Sequence, residues 1–383
     1  MRFLHTSDWH VGKTLRGRSR IDEHEAIRCE IVEIAVRERV DCLLVSGDIF
    51  DSYAPSPEAE RLVYNFFAEL LARKIPTVII GGNHDHPRRL AAIRQLLDHL
   101  GIYMRPEPAA PSAGGIIDFR SGDELAKIAV LPFVPERKIV DVCQMMAPEE
   151  NWYAEYSDAV ARMLEKLSKG FSTKTVNILV AHLYVHGSQT SGSEREIHVA
   201  QPYAISAQRL PATAHYIALG HLHRPQNISA PSPCNYAGSP LQLDFGEQGQ
   251  QKEVVLIDAH PGIPAQVQRI CLKAGRKLRD VTGTLEQIEA DAPSYGDDYL
   301  RITVNTSGPV PGIADRVRQS LPNALDVRLD YPQAQIVSSS TRRQMPPEQL
   351  FKEFYQVQHG APASDALLGA FRELYDEVTV ATD

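Results

Sequence analysis

Five times in this 383-residue chain a short apolar run ends on a residue type that binds metal ions. Phe3-Leu4-His5-Thr6-Ser7 leads into Asp8-Trp9-His10, and Cys42-Leu43-Leu44-Val45-Ser46-Gly47 leads into Asp48. Val78-Ile79-Ile80-Gly81-Gly82 leads into Asn83-His84-Asp85. Ile178-Leu179-Val180-Ala181 ends at His182, and Ile217-Ala218-Leu219-Gly220 at His221-Leu222-His223. Short runs rich in Val, Ile and Leu predict strands buried on both faces. In open sheets of such strands, sites form just beyond the carboxyl ends. The repetition therefore requires side chains from distant parts of the chain to converge on one spot.

The residue types say what that spot holds. Asp8, His10, Asp48, Asn83, His182, His221 and His223 offer carboxylate, imidazole and amide oxygen without thiolate. That donor set suits Mn²⁺, Zn²⁺ or Fe. One zinc site takes about four ligands. Seven are too many for one ion and serve two if one carboxylate bridges. Metals paired about 3.5–4 Å apart clamp the attacking and leaving oxygens of a displacement at phosphorus. Each segment alone has an ordinary explanation: Gly47-Asp48 as a turn, His221-x-His223 as a loop pair or satisfied core histidines. Five segments in this order, each behind a predicted strand, are hard to assemble by chance.

These motifs resemble the calcineurin-like metallophosphoesterase signature over residues 1 to about 245. Thr6-Ser7-Asp8-Trp9-His10-Val11-Gly12, Ser46-Gly47-Asp48-Ile49-Phe50-Asp51 and Tyr236-Ala237-Gly238-Ser239-Pro240 narrow the resemblance to SbcD-type nuclease subunits of SbcC–SbcD complexes. The resemblance implies an α/β fold: a metallophosphoesterase sheet core with flanking helices, a small α/β capping domain and a C-terminal helical tail. It implies double-strand exonuclease and single-strand or hairpin endonuclease activity on DNA ends, with two divalent ions, expected to be Mn²⁺. It also implies a homodimer joined to an SbcC-type ATPase in a heterotetramer. One ion would be held by Asp8, His10, Asp48 and His223, the other by Asp48, Asn83, His182 and His221.

Within that scheme His84 is expected to meet the phosphate as a catalytic residue, steadying the transition state or protonating the leaving oxygen. Asp85 either fixes the tautomer of His84 from the far ring nitrogen or serves as a carboxylate at a helix N-terminus. Lys13, Arg16, Arg18 and Arg20 crowd the loop behind the first ligands, and Arg88 and Arg89 follow the third motif. They either hold flanking phosphates or are solvated surface. No phosphate-cradling G-x-x-x-x-G-K-[ST] loop occurs, so ATP use would belong to a partner. A general metallophosphoesterase acting on small phosphodiesters or phosphoproteins is the alternative enzyme, and a DNA-end scaffold the non-enzymatic one.

The formal net charge of −8 argues against a passive DNA-coating protein. It is compatible with a nuclease whose cations sit at the scissile phosphate. Five scattered cysteines, among them Cys29 and Cys42 in apolar patterns, suit core positions and a reducing cytoplasm. The first strand begins at Arg2, so a signal peptide is not expected.

Helices are expected around Ile27–Ala35, from Ser56-Pro57 to about Lys74, from Pro87 to Leu100 and from Trp152 to Ser168. The apolar face around Phe66 and Phe67 either packs on the sheet or meets a second subunit. The Gly/Ser-rich loop after His182 reads as functional or mobile. Its His186 and His198 do not end strands and read as loop residues. Val254–Ile257 reads as the closing strand of a nuclease domain at residues 1–275. A βαβαβ capping and DNA-binding domain follows at 276–335, then a linker at 336–346. Two short amphipathic helices in 347–383 would dock on the body or on the ATPase.

Overall fold

A computed structural model of the chain describes residues 1–146, 156–194, 203–332 and 346–380. The chain divides into two compact units, Met1–Leu278 and Arg279–Asp383. In the first unit the strands are β1 (Arg2–Thr6), β2 (Cys42–Val45), β3 (Thr77–Ile80), β4 (Ile102–Arg105), β5 (Ile116–Ser121), β6 (Glu124–Leu131) and β7 (Val176–His182). They continue as β8 (Tyr184–Val185), β9 (Ala204–Ile205), β10 (Tyr216–Gly220), β11 (Gln226–Ile228), β12 (Cys234–Tyr236), β13 (Glu253–His260) and β14 (Ile263–Cys271). The helices are α1 (Ile21–Arg37), α2 (Pro57–Ala72), α3 (Pro87–His99), α4 (Ile139–Met146) and α5 (Tyr156–Ser168).

The strands form two six-stranded sheets, ordered β14-β13-β1-β2-β3-β4 and β11-β12-β10-β7-β6-β5. β1 to β4 are parallel in the first, as are β6, β7, β10 and β12 in the second. Period-2 alternation splits the apolar side chains between layers. Phe3, Leu44, Val78 and Ile80 of one sheet meet Ile128, Val130, Ile178 and Val180 of the other in a shared core. Leu4, Leu43, Val45 and Ile79 face outward against Ile27, Ile31, Phe66 and Leu70 of α1 and α2. Leu131, Leu179 and Leu219 pack against Val160, Met163 and Leu164 of α5. The result is a four-layer α/β/β/α sandwich. Strands covered on both faces read as unbroken apolar runs, and that hides which sheet each one joins.

The expected helices form. The Ser56 side chain accepts from the Ala59 N–H at 3.3 Å, with Pro57 at the first helical position. α2 stops at Ala72, short of Lys74, which takes a positive φ of 55°. Phe66 and Phe67 are buried, with the Trp9 ring 4.9 Å from that of Phe66. Their face is therefore packed core, the first of the two expected roles. The Trp152 end of the fourth expected helix and His198 lie outside the described residues. Val254–Ile257 belongs to β13, but it does not close the sheet. β14 pairs outside it, and its mostly exposed side chains give no apolar run to read. Among the described residues no helix is long and apolar enough to cross a membrane.

The second unit continues β15 (Leu278–Gly283) into α6 (Leu285–Ala290), β16 (Tyr299–Asn305), α7 (Ile313–Ser320) and β17 (Ala324–Asp330), with the strands in that order across a three-stranded sheet. Thr284 and Gln287 form a reciprocal capping box on α6. The expected linker around Ser338–Thr341 lies outside the described residues. Beyond it, α8 (Pro347–His359) ends at Gly360, whose φ of 66° only glycine adopts without cost. α9 (Asp365–Val380) packs back on α8. Phe351 and Phe371 stack with centroids 4.2 Å apart, and Arg372 pairs with Glu348 at 2.7 Å. The two tail helices bury part of their apolar faces on each other and leave Phe354 and Leu374 exposed.

Candidate metal centre

Strand ends alone do not aim side chains inward; the backbone after them does. Asp8, His10, Asp48 and His221 have φ of 51°, 47°, 51° and 107°. Non-glycine residues visit this left-handed region rarely and at a cost. The loops that hold them there are stitched together: Asp8 N–H donates to Gly47 O and His10 N–H to Asp48 O, both at 3.0 Å. Close approach also demands glycine. A Cβ on Gly82 would lie 2.1 Å from Asp48 Oδ1, and one on Gly220 would lie 1.9 Å from the Ser46 carbonyl oxygen.

All seven sequence-predicted ligands meet at this point and are buried. His10 Nε2 faces His223 Nε2 at 3.0 Å, with Asp8 in the same group. Asn83 Oδ1 lies 2.9 Å from both His182 Nε2 and His221 Nδ1. Asp48 Oδ2 stands between the two groups, 3.5 Å from His10 Nε2 and 3.6 Å from His182 Nε2. The opposite faces of these donors are already engaged. His182 Nδ1 donates to Ser46 O at 2.8 Å, Ser7 Oγ donates to Asp8 Oδ2 at 2.6 Å, and His221 N–H donates to Asp8 Oδ1 at 2.9 Å.

The donor set fits divalent cations. Ligand atoms held about 2.0–2.2 Å from one ion at tetrahedral to octahedral angles are about 2.8–3.6 Å apart. The spacings of 2.9 to 3.6 Å among these nitrogens and oxygens fall in that range. Two imidazole nitrogens facing each other beside two carboxylates is an arrangement in which lone pairs converge. Burial, reinforced by Asp48, pushes the Asp8 carboxyl up to about 7 against the pull of His182 and His223. Burial also acts to raise Asp48, but His182, His10, His84 and the His84 N–H outweigh it and hold Asp48 below the usual carboxylate range. Burial lowers His10 to about 4.

His84 lies beside this cluster, its ring edge-on to His10 at 4.5 Å. Its N–H donates to Asp48 Oδ1 at 2.8 Å, and its Nδ1 donates to the Asp51 carbonyl at 2.7 Å. Asp85 does not perform the orienting role expected of it. Its carboxylate accepts the N–H groups of Gly82, Phe50 and Ile49 at 2.9, 3.0 and 3.2 Å. It therefore staples the β3 loop to the β2 loop, and it serves neither His84 nor the α3 terminus.

Asp51, which received no separate role from the sequence, supplies two contacts. Its carbonyl holds His84, and its Oδ1 stands 3.2 Å from Lys13 Nζ and 3.4 Å from His10 Nδ1. Ser193, Glu194, Glu247 and Lys252 surround His223 and were also missed. No spacing rule links positions 193 to 252 to a ligand at 223. The described part of the Gly/Ser loop is anchored. Gln189 N–H donates to Gln226 Oε1 at 2.9 Å, and Ser191 N–H donates to Glu194 at 2.9 Å. His186 is exposed on a turn of this loop.

The expected cations divide. Arg16 and Arg18 are exposed on a hairpin closed between Leu15 and Arg18, and Lys13 is half-buried behind it. Arg88 and Arg89 are exposed at the start of α3, where Arg89 pairs with Glu60 at 2.7 Å. Arg20 is the exception. It is 3% exposed, forms a two-pronged pair with Glu23 at 2.8 Å and donates to the Gln242 carbonyl, so it is not a surface cation for phosphates.

Comparison with known proteins follows the same division of the chain. Residues 1–225 match the calcineurin-like phosphoesterase family. Residues 274–359 match the family described as Type 5 capsule protein repressor C-terminal domain. The SbcD subunit of the Bacillus subtilis SbcCD nuclease is 39% identical over 280 residues, covering 73% of this chain and 71% of that protein. Its namesake in Rhodobacter capsulatus is 30% identical over 352 residues, covering 86% of each. The Escherichia coli K12 protein of that name is 29% identical over 358 residues, covering 90% of this chain and 89% of the other.

Proposed function

The chain belongs to the calcineurin-like phosphoesterases and, within them, to the SbcD subunits of SbcCD nucleases, and on that premise we propose that it hydrolyses DNA phosphodiesters at a centre for two divalent ions. The observation that carries the two-ion reading is the position of Asp48 Oδ2 between two ligand groups, 3.5 Å from one and 3.6 Å from the other. Asp8, His10, Asp48 and His223 would hold one ion, and Asp48, Asn83, His182 and His221 the other. Mn²⁺ suits this oxygen and imidazole set. Ions held there would supply Lewis-acid charge at the scissile phosphate and lower the pKa of an attacking water towards neutrality.

The protein's own groups do the rest. His84, with Nδ1 fixed on the Asp51 carbonyl, keeps Nε2 as the nitrogen that exchanges a proton with the leaving oxygen. Asp48 Oδ1, held by the His84 N–H, ties the position of that residue to the carboxylate that would serve both ions. Asp85 contributes by fixing the two loops and takes no part in proton transfer. Lys13, Arg16, Arg18, Arg88 and Arg89 would meet the phosphates flanking the scissile one.

The chain would act on DNA ends and hairpins as a homodimer with an SbcC-type ATPase. The capping and DNA-binding domain would occupy 276–335, and the tail from 347 would reach the partner. The exposed Phe354 and Leu374 support that docking role for the tail. Purified full-length protein with Mn²⁺ should cleave a DNA hairpin with clear preference over p-nitrophenyl phosphodiesters and monoesters. Equal or better turnover of the small esters would make it a general phosphoesterase, and DNA binding without cleavage would make it a scaffold.

A further inference from the structure

We infer that Ser193, on the loop that follows His182, is the positioning residue that sets the tautomer of His223 and thereby the strength of one ion site. The inference rests on the metal-centre reading above. Ser193 Oγ lies 2.6 Å from His223 Nδ1 and also contacts Glu247 Oε1. Glu247 reaches His223 Nδ1 only at 3.4 Å, so the serine oxygen is the nearer partner of that nitrogen.

The direction of this chain of bonds follows from what holds Glu247. It is fully buried, and its Oε2 accepts from Lys252 Nζ at 2.6 Å and from the Leu243 N–H at 3.1 Å. A carboxylate paired with a buried ammonium can only accept. The single hydroxyl proton of Ser193 therefore goes to Glu247, and the serine oxygen accepts from His223 Nδ1. That nitrogen must carry the imidazole proton. Nε2, facing His10 Nε2 at 3.0 Å, keeps the lone pair for the centre.

The remaining polar atoms of His223 are gripped by the same group of residues. Its N–H donates to Glu194 Oε1 at 3.0 Å, and its carbonyl accepts from Lys252 Nζ at 3.0 Å. Glu194 in turn accepts the Ser191 N–H at 3.0 Å through Oε1 and at 2.9 Å through Oε2. The loop is thus a clamp on one ligand. Outer partners of this type typically change metal affinity by about 10–100-fold.

Mn²⁺ titration of the metal-free full chain tests this. Ser193→Ala should weaken one of two Mn²⁺ sites by about 10–100-fold and leave the other unchanged. Ser193→Thr should restore it. Selective ¹⁵N-histidine spectra of the metal-free protein should show His223 protonated at Nδ1, and mixed tautomers in Ser193→Ala. Unchanged Mn²⁺ affinities in Ser193→Ala, alongside loss of a site in His223→Ala, would overturn the role of Ser193 alone. A lowered melting temperature of metal-free Ser193→Ala with normal Mn²⁺ affinity would make the serine purely structural. If His223→Ala also binds Mn²⁺ normally, the metal-centre reading itself fails.

Discussion

Gly82→Ala isolates close packing from ligand chemistry. The added Cβ would stand 2.1 Å from Asp48 Oδ1 and 2.4 Å from the Asp48 backbone nitrogen. Ordinary contact begins near 3.4 Å, so the carboxylate must retreat by about 1.3 Å. The same Oδ1 holds the His84 N–H at 2.8 Å, and Oδ2 is the atom between the two ligand groups. Misplacing a reacting group by about 1 Å costs on the order of 10² in rate. Overpacking a tight site costs about 1–3 kcal/mol of stability. For a unit of this size that is a melting-temperature drop of roughly 2–12 °C. We expect a folded variant with substoichiometric Mn²⁺ and hairpin cleavage reduced by about 10² or more. Metal content after gel filtration, a fluorescent hairpin assay and a circular-dichroism melt read the three quantities. Gly369→Ala is the control, since an added Cβ there meets nothing within 4 Å. Wild-type metal content and turnover in Gly82→Ala would refute the steric argument and the place of Asp48 in it.

Five further outcomes are expected. Asp48→Asn should abolish cleavage and lower the Mn²⁺ stoichiometry, checked by metal analysis; two tightly held ions with normal turnover would end the bridging assignment. His84→Ala should keep both ions and DNA binding while turnover falls by about 10²–10⁴, measured under saturating DNA. Arg16→Ala with Arg18→Ala should flatten the salt dependence of DNA binding by up to about 0.9 log–log unit per lost phosphate contact. By contrast, Arg20→Ala should leave that slope alone and destabilise the fold by about 3 kcal/mol, because it removes the charge partner of Glu23 and leaves that carboxylate the Arg276 N–H. Chelating the metal should lower the melting temperature, since ions present at about 100 times Kd contribute about 2.7 kcal/mol; an unchanged melt in excess chelator would argue against tightly held native ions.

What was legible in the sequence was whatever depends on strand ends. Asp8, His10, Asp48, Asn83, His182, His221 and His223 each lie at the end of a buried strand or within four residues of it, so their convergence is encoded within a few residues. The division into two sheets was not legible, because Leu4 and Phe3 are both buried and periodicity does not reveal which neighbour covers each face. β14 escaped because its side chains are mostly exposed, and Gln266, Gln268 and Arg269 interrupt its apolar residues. Arg20 misled because a charge run gives no sign of which member turns inward to Glu23. Asp85 misled for a related reason. Its partners are backbone N–H groups at 49, 50 and 82, and backbone groups carry no sequence signature.

The backbone also explains how a site built on loops can be as rigid as a sheet. Left-handed φ at a non-glycine residue costs on the order of 1–3 kcal/mol. Asp8, His10, Asp48 and His221 all adopt it, so something must over-determine them. The bonds from Asp8 N–H to Gly47 O, His10 N–H to Asp48 O and Val11 N–H to Ile49 O extend the β1–β2 pairing past the ends of both strands. Asp85 ties the β3 loop into the same lattice through three N–H groups. Across the gap, the second sheet joins where the His221 N–H meets Asp8 and His182 Nδ1 meets the Ser46 carbonyl. The proposed ligands from two sheets are thus held in place by protein hydrogen bonds. Preorganisation of this kind serves any phosphate ester equally well. Selection of DNA would then come from groups outside the lattice, and the exposed Arg16–Arg18 hairpin is the part we propose for it.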